Sequence, residues 1–186
     1  MVIAPRDRMM KVIDRINDAF ENLLHAGRMA VRLYRAAHWC DRAGLPLLPC
    51  LLKQLNALLC GAEIHYKARI GKDFAIAHPR GVVIGRHVEI GDYCACYSGV
   101  VLGVRTCGDP RQPRIGHRVI MYAGAKILGG VTVGDDAVIA ANAVVLDDVP
   151  AGATMGGIPA RIIGPGQMPE PCSDVHATDA AAGARH

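Results

Sequence analysis

This sequence predicts a mainly β protein, a coil of short parallel strands behind a short N-terminal α-helical cap, and three observations carry that prediction. From residue 62 onward, apolar residues recur at every sixth position. Of the 21 glycines, 18 lie between Gly61 and Gly166, so the chain divides into two compositional halves. Hydrophobic residues make up 51% of the chain, yet only eight are aromatic (1 Trp, 5 Tyr, 2 Phe), so Ile, Val, Leu and Ala must fill the core. A length of 186 residues fits one domain with a helical extension, at about 150 residues per domain.

The helical half comes first. Ile13, Ile16, Phe20, Leu23 and Leu24, then Ala30, Leu33, Tyr34 and Ala37, recur at three- and four-residue steps, which predicts helix over residues 8–43 with a break at Gly27. Gly44, Leu45 and Pro46 predict a turn. Pro49 is placed to open a third helix over Leu51, Leu52, Leu55, Leu58 and Leu59, ending at Gly61. The leucine surplus is expected to bury against the chain's own domain or a sister subunit. With Arg28, Arg32, Arg35 and Arg42 nearby, it also allows a weak peripheral membrane contact through the cap.

The coil follows. Aliphatic or similar residues fall at Ile64, Ile70 and Ile76, at Ile84, Ile90, Cys96 and Leu102, and at Ile115, Met121, Ile127, Val133, Ile139 and Val145. Two positions before each stands a second, mostly small, apolar residue. Thirteen such hexads are the mark of a hexapeptide-repeat parallel β-helix with three hexads per triangular coil, a little over four coils in all. Two interruptions break the period. One adds two residues around His78, Pro79, Arg80 and Gly81; the other stretches the step from Leu102 to Ile115, extruding Val104 to Arg114. Insertions in a regular scaffold form loops on its surface, where function concentrates. Residues 156–163 close the prism. The expected organisation is a helical cap over 1–60, the β-helix over 61–164 and a disordered tail over 165–186.

The net charge of +4 resides entirely in residues 1–60, too weak and scattered for a nucleic-acid surface. Seven cysteines, without a CxxC motif, fit a reducing cytoplasm. The stretch from Leu45 to Cys60 is too short and too interrupted to span a bilayer.

The segments GlyAlaGluIleHis (61–65), AlaArgIleGlyLys (68–72), HisProArgGlyValValIleGly (78–85), AlaGlyAlaLysIleLeuGlyGly (123–130) and IleProAlaArgIleIle (158–163) resemble the serine acetyltransferases and related hexapeptide-repeat acyltransferases that modify exopolysaccharides. The resemblance implies a left-handed coil, homotrimers more readily than hexamers, and acetyl-CoA as co-substrate in the groove between adjacent prisms, with no metal. Direct acyl transfer needs a base of near-neutral pKa and an orienting anion. His78 and Glu63 are the candidates, fifteen residues apart and therefore on adjacent rungs within side-chain reach. By resemblance, His78 is the general base and Glu63 stands where the family carries an Asp partner. A corner histidine is also often a solvated turn residue, but two segments converge on this one.

Two departures touch the acceptor. Ala77 replaces an Asp that precedes the catalytic histidine in the serine enzymes, and Arg111-Gln112 replaces an Arg-His pair. Arg111 can still clamp a carboxylate. Gly103 is expected near the oxyanion, Ala123, Gly124 and Ala141 along the pantetheine arm, and Arg161 at the CoA phosphates. Cys107 has no activating partner by spacing, and His65, His78, His87 and His117 lack the spacing of a zinc site. Three functional readings stand: transfer to the hydroxyl of L-serine or a similar small molecule, transfer to a sugar hydroxyl of a polysaccharide or its precursor, and a non-catalytic scaffold.

Overall fold

The protein is described by a computed structural model covering residues 25–165; the helix expected over 8–24 and the tail beyond Pro165 lie outside the described residues. Helix α1 (Ala26–Arg42) leads through a turn to α2 (Leu48–Cys60). Fifteen strands follow among the described residues. They are β1 (Glu63–Ile64), β2 (Arg69–Ile70), β3 (Ala75–Ile76), β4 (Val83–Ile84), β5 (Glu89–Ile90), β6 (Ala95–Cys96), β7 (Val101–Gly103) and β8 (Arg114–Ile115). After them come β9 (Ile120–Met121), β10 (Lys126–Leu128), β11 (Thr132–Val133), β12 (Val138–Ile139), β13 (Val144–Val145), β14 (Ala153–Gly156) and β15 (Arg161–Pro165).

The chain visits three parallel sheets in rotation. Face A holds β1-β4-β7-β10-β13, face B holds β2-β5-β8-β11, and face C holds β3-β6-β9-β12-β14 with β15 returning antiparallel at its end. Each hexad is one strand. The thirteen aliphatic positions and their thirteen partners two residues earlier are all buried, so the period of six reads out the inner wall directly. Face B carries charge outward, through Arg69, Glu89 and Arg114, whereas the outward row of face C is Ala75, Ala95, Ile120 and Val138.

The cap seals the first coil. Ala30, Tyr34, Ala37 and Cys40 recur at helical spacing on the buried side of α1. Tyr34 Oη donates to the carbonyl of Ala68 (2.7 Å), and the Arg35 guanidinium to those of Ile70 and Gly71. His38 Nδ1 meets the carbonyl of Tyr66 at 2.8 Å, and Asn56 Nδ2, from α2, donates to that of Ala30. Burial pushes the Tyr34 hydroxyl above its ordinary pKa, which keeps it a donor.

Helix α1 starts at Ala26 after a non-helical His25 (φ −54°, ψ 111°), so the break expected at Gly27 falls two residues before it. Gly27 itself sits in the first turn of α1, where a Cβ would collide with the carbonyl oxygen of Ile76, so glycine serves close approach of helix to coil. Pro49 opens α2, and Gly61 ends it in the left-handed conformation (φ 69°). The leucines of α2 are not buried by the described residues: Leu51 is 63% and Leu58 81% exposed. Two boundaries shift by one residue. Arg114 begins β8 rather than ending the extruded loop, and Pro165 belongs to β15, its carbonyl accepting from Thr154 Oγ1 (3.0 Å). Six described cysteines are free; burial pushes the Cys94 thiol up to about 11 and that of Cys96 higher still.

Candidate active site

The site is built on the corner where face C turns into face A. Four successive turns repeat there, ending in Gly81, Gly99, Gly124 and Asn142, all at positive φ. Gly81 N–H donates to the carbonyl of Gly61, Gly99 to Arg80, Gly124 to Ser98 and Asn142 to Ala123. Side chains at the other corner positions, Ser98, Ala123 and Ala141, therefore stack in a column of small groups. Glycine fills three of the four positions because αL carries little penalty without a Cβ, and asparagine, at the fourth, is one of the few other residues that visit αL routinely.

His78 occupies the lowest turn of that column, and this turn is two residues longer than the others. Face A records the insertion: Glu63 pairs with Val83, a step of 20, while Val83 pairs with Val101, a step of 18. The added residues raise an exposed His78 off the coil, while the backbone is fixed on both sides of it. Ala77 N–H donates to the carbonyl of Cys96 (3.1 Å), Val82 N–H to that of Pro79 (3.1 Å), and Pro79 is buried. Glu63 projects outward from β1, the strand on which β4 stacks. The expected dyad is thus brought to one corner but not closed: both side chains are exposed, and no hydrogen bond joins them. Catalytic hydrogen bonds often tighten only with substrate in place.

The remaining expected residues divide between two corners. Ala77, Ala123, Gly124 and Ala141 share that corner with His78. Gly103 ends β7 at the other edge of face A, its carbonyl accepting from Gly129 N–H (2.9 Å), so within one chain it does not face His78. The extruded loop leaves from that second corner, between faces A and B. Arg111 is held by Asp109, with Nη2 to Oδ2 at 2.7 Å and Nε to Oδ1 at 2.9 Å, and the guanidinium holds the Asp109 carboxyl down to about 2. Gln112 is engaged with the scaffold, because its Oε1 accepts from the backbone N–H of His87 (2.9 Å). Asp92, Asp135 and Asp148 do the same for Lys72, His117 and Thr132 in other turns. Arg161, on β15, lies 3.7 Å from Asp147 and donates to the carbonyl of Ala160 (2.8 Å).

Sequence reasoning gave His38 no role, yet it ties α1 to the coil and lines a cavity with Asp41, Arg42, Lys67 and His87. Only its four-residue spacing from Tyr34 on α1 signalled that it faces the coil. Among the described residues no group of three or more His, Cys, Asp or Glu is placed to hold a metal ion. No described helix is long and apolar enough to cross a membrane.

The prism is built of hexapeptide repeats, and the family model "Bacterial transferase hexapeptide (six repeats)" matches residues 112–147. The chain is 44% identical over 142 residues to a serine acetyltransferase of Synechococcus elongatus, covering 76% of this chain and 58% of that protein. It is equally identical over 142 residues to one of Helicobacter pylori, covering 83% of that relative. The crystal structure of serine acetyltransferase in complex with coenzyme A from Brucella abortus superimposes with a TM-score of 0.74 at 36% identity, over 76% of this chain and 57% of that one. The chain belongs to the serine acetyltransferase family, and it spans little more than half the length of the cyanobacterial and Brucella relatives.

Proposed function

We propose that this chain is an acetyl-CoA-dependent O-acetyltransferase that transfers the acetyl group to the hydroxyl of L-serine. The observation that carries the reading is His78, raised by a two-residue insertion on the corner column of a chain in this family. His78 takes the acceptor's hydroxyl proton as the oxygen attacks the thioester carbonyl carbon. The C–S bond then breaks and the CoA thiolate recovers the proton, leaving an O-acetyl ester and free CoA thiol. Glu63 orients the imidazole and stabilises its cation, worth a share of the roughly 10²–10⁴-fold that general base catalysis contributes. A backbone N–H near Gly103 is the proposed oxyanion donor, supplied by a neighbouring copy because Gly103 and His78 lie at opposite edges of face A.

Acetyl-CoA is proposed to run along the column of Ala123, Gly124 and Ala141, whose small side chains permit close approach, with its phosphates toward Arg161. The coil is read as left-handed and the assembly as a homotrimer. The uncharged outward row of face C supports packing against other copies, whereas the charged row of face B suits solvent. Free cysteines among the described residues agree with a cytoplasmic location.

A second reading, a sugar hydroxyl as acceptor, is favoured by one observation. The counter-charge for an ammonium is weakened at His78: Ala77 carries none, and Asp41 lines a cavity on another corner. An unpaired buried charge is costly, on the order of 3–5 kcal/mol. The test is release of CoA thiol from acetyl-CoA with L-serine and with sugar acceptors at equal concentration. Saturable turnover of L-serine, lost by two or more orders of magnitude in His78→Ala, is the expected result. Turnover of sugars alone, with L-serine accepted only by Ala77→Asp, transfers the assignment to the sugar reading. Full activity of His78→Ala removes the histidine from the mechanism.

A further inference from the structure

We propose that the cavity between the C-terminal turn of α1 and the corner joining faces A and B is a second binding site, for a small molecule bearing a phosphoryl dianion. Its volume of about 560 Å³ falls within the range of small-molecule sites. From α1 come His38, Asp41 and Arg42; from the coil come Lys67, Arg69, His87 and Glu89. The side chains of Arg42, Lys67 and His87 make no hydrogen bond or ion pair with the described residues. His38 gives Nδ1 to the carbonyl of Tyr66, which fixes the ring against the cavity wall and leaves Nε2 as its remaining polar atom.

Two carboxylates, Asp41 and Glu89, stand among these cations. Glu89 lies between Arg69 (3.3 Å) and Arg114 (3.6 Å), and Arg114 stands outside the cavity. The last carbonyls of α1, those of Trp39, Cys40 and Asp41, accept from the backbone N–H groups of Ala43, Leu45 and Gly44, which mutes the negative end of the helix. His65, on the same corner, has its pKa pushed below the ordinary value by burial first and then by Lys53, Arg86, Lys67 and His87.

With Arg114 at the rim, four fixed cations stand against the carboxylates of Asp41 and Glu89, an excess of two that suits a dianion, and the imidazoles of His38 and His87 add further donors. Phosphoryl oxygens also accept from ammonium, guanidinium and imidazole donors together. Within one chain the cavity is separate from the proposed chemistry, because neither His78, Glu63 nor the column of small corner residues lines it. It is nonetheless one hydrogen bond from the extruded loop, since Gln112 accepts from the backbone of His87, a cavity residue.

The experiment titrates inorganic pyrophosphate into the full chain at constant ionic strength, by calorimetry, with and without saturating CoA. Lys67 and Arg42 are exposed, so Lys67→Gln and Arg42→Gln leave the core untouched. Saturable binding indifferent to CoA is expected, weakened about ten- to a hundred-fold by either substitution, as loss of a charge-assisted hydrogen bond dictates. Arg118→Gln, at a distant corner, should leave it unchanged. Absence of saturable binding, binding untouched by both substitutions, or displacement by CoA would each overturn the proposal. CoA thiol release, assayed separately, reads the acetyltransferase reaction without reference to this site.

Discussion

The two corners that flank face A solve the same turning problem by different means. At the His78 corner the chain turns chiefly on backbone, through a ladder of N–H to carbonyl bonds and residues at positive φ with Tyr97 stacked on Tyr122 beside it, and the side chains of His78 and Glu63 are left uncommitted. At the corner between faces A and B the side chains take part in the scaffold: Gln112 caps His87, His65 Nδ1 accepts from Lys67 N–H (3.1 Å), and Asp109 pins Arg111. A corner held by its main chain can present reactive groups, because none of them is needed for the turn. A corner held by side chains presents a shaped loop instead.

The largest effect comes from removing what distinguishes the first corner. Deleting Pro79 and Arg80 leaves Ala77-His78-Gly81-Val82, the length of Tyr97-Ser98-Gly99-Val100 one coil later, so the coil should fold with its melting temperature held or raised. His78 is then drawn down to the level of Ser98, and CoA thiol release should fall by roughly 10²-fold, the scale of a misplacement of about 1 Å. Activity retained in a folded deletion variant would show that the raised position is irrelevant.

Next in size is Gly27→Ala. Its added carbon would collide with the carbonyl oxygen of Ile76, so α1 must shift off face C. Overpacking of this kind costs about 1–3 kcal/mol, a fall of several degrees in Tm by calorimetry. An unchanged Tm would mean that the cap does not seal the coil.

Gln112→Ala should cost less, about 0.5–1.5 kcal/mol, because the His87 amide it releases is near solvent. The more telling readout is KM for a carboxylate-bearing acceptor, expected to rise several-fold with kcat nearly constant as the loop holding Arg111 loosens. A fall in kcat alone would place Gln112 in the chemistry rather than the scaffold.

The smallest effect is electrostatic. The Asp109 carboxyl is depressed in the folded chain, so its ion pair with Arg111 is present above the ordinary carboxylate range and lost only as pH falls through about 2. The Asp109 side-chain carbon resonance should titrate with a midpoint near 2, and in Arg111→Gln it should return toward about 3.9. A midpoint unmoved by that substitution would detach the loop's shape from this pair.

Much of this was legible in the residues because a hexad maps one to one onto a strand. Ile64 to Val145 name thirteen strands, and the only two breaks in their spacing mark the two corners that matter. The family resemblance pointed to His78 and Glu63, and spacing placed them on neighbouring rungs. Spacing could not say that the pair stands unjoined, since side-chain torsions are independent of rung number. Gln112 read as an acceptor contact because the loop's internal fold is not periodic; its engagement with His87 depends on where the loop re-enters the coil. The close approach at Gly27 was not legible for a related reason: the crowding that demands glycine comes from Ile76, almost fifty residues away in sequence.

The donors that α1 offers to the first coil have one more consequence. A coil of parallel strands ends in unpaired backbone carbonyls and amides, which are templates for the next copy of the same coil, and an uncovered end invites stacking into filaments. Tyr34, Arg35 and His38 occupy the carbonyls of Ala68, Ile70, Gly71 and Tyr66 with side chains, which cannot propagate a strand. At the opposite end β15 runs antiparallel to β14, a direction no incoming parallel strand can copy. The helical cap and the returning strand thus set the solenoid's length, and with it the protein's resistance to end-to-end polymerisation.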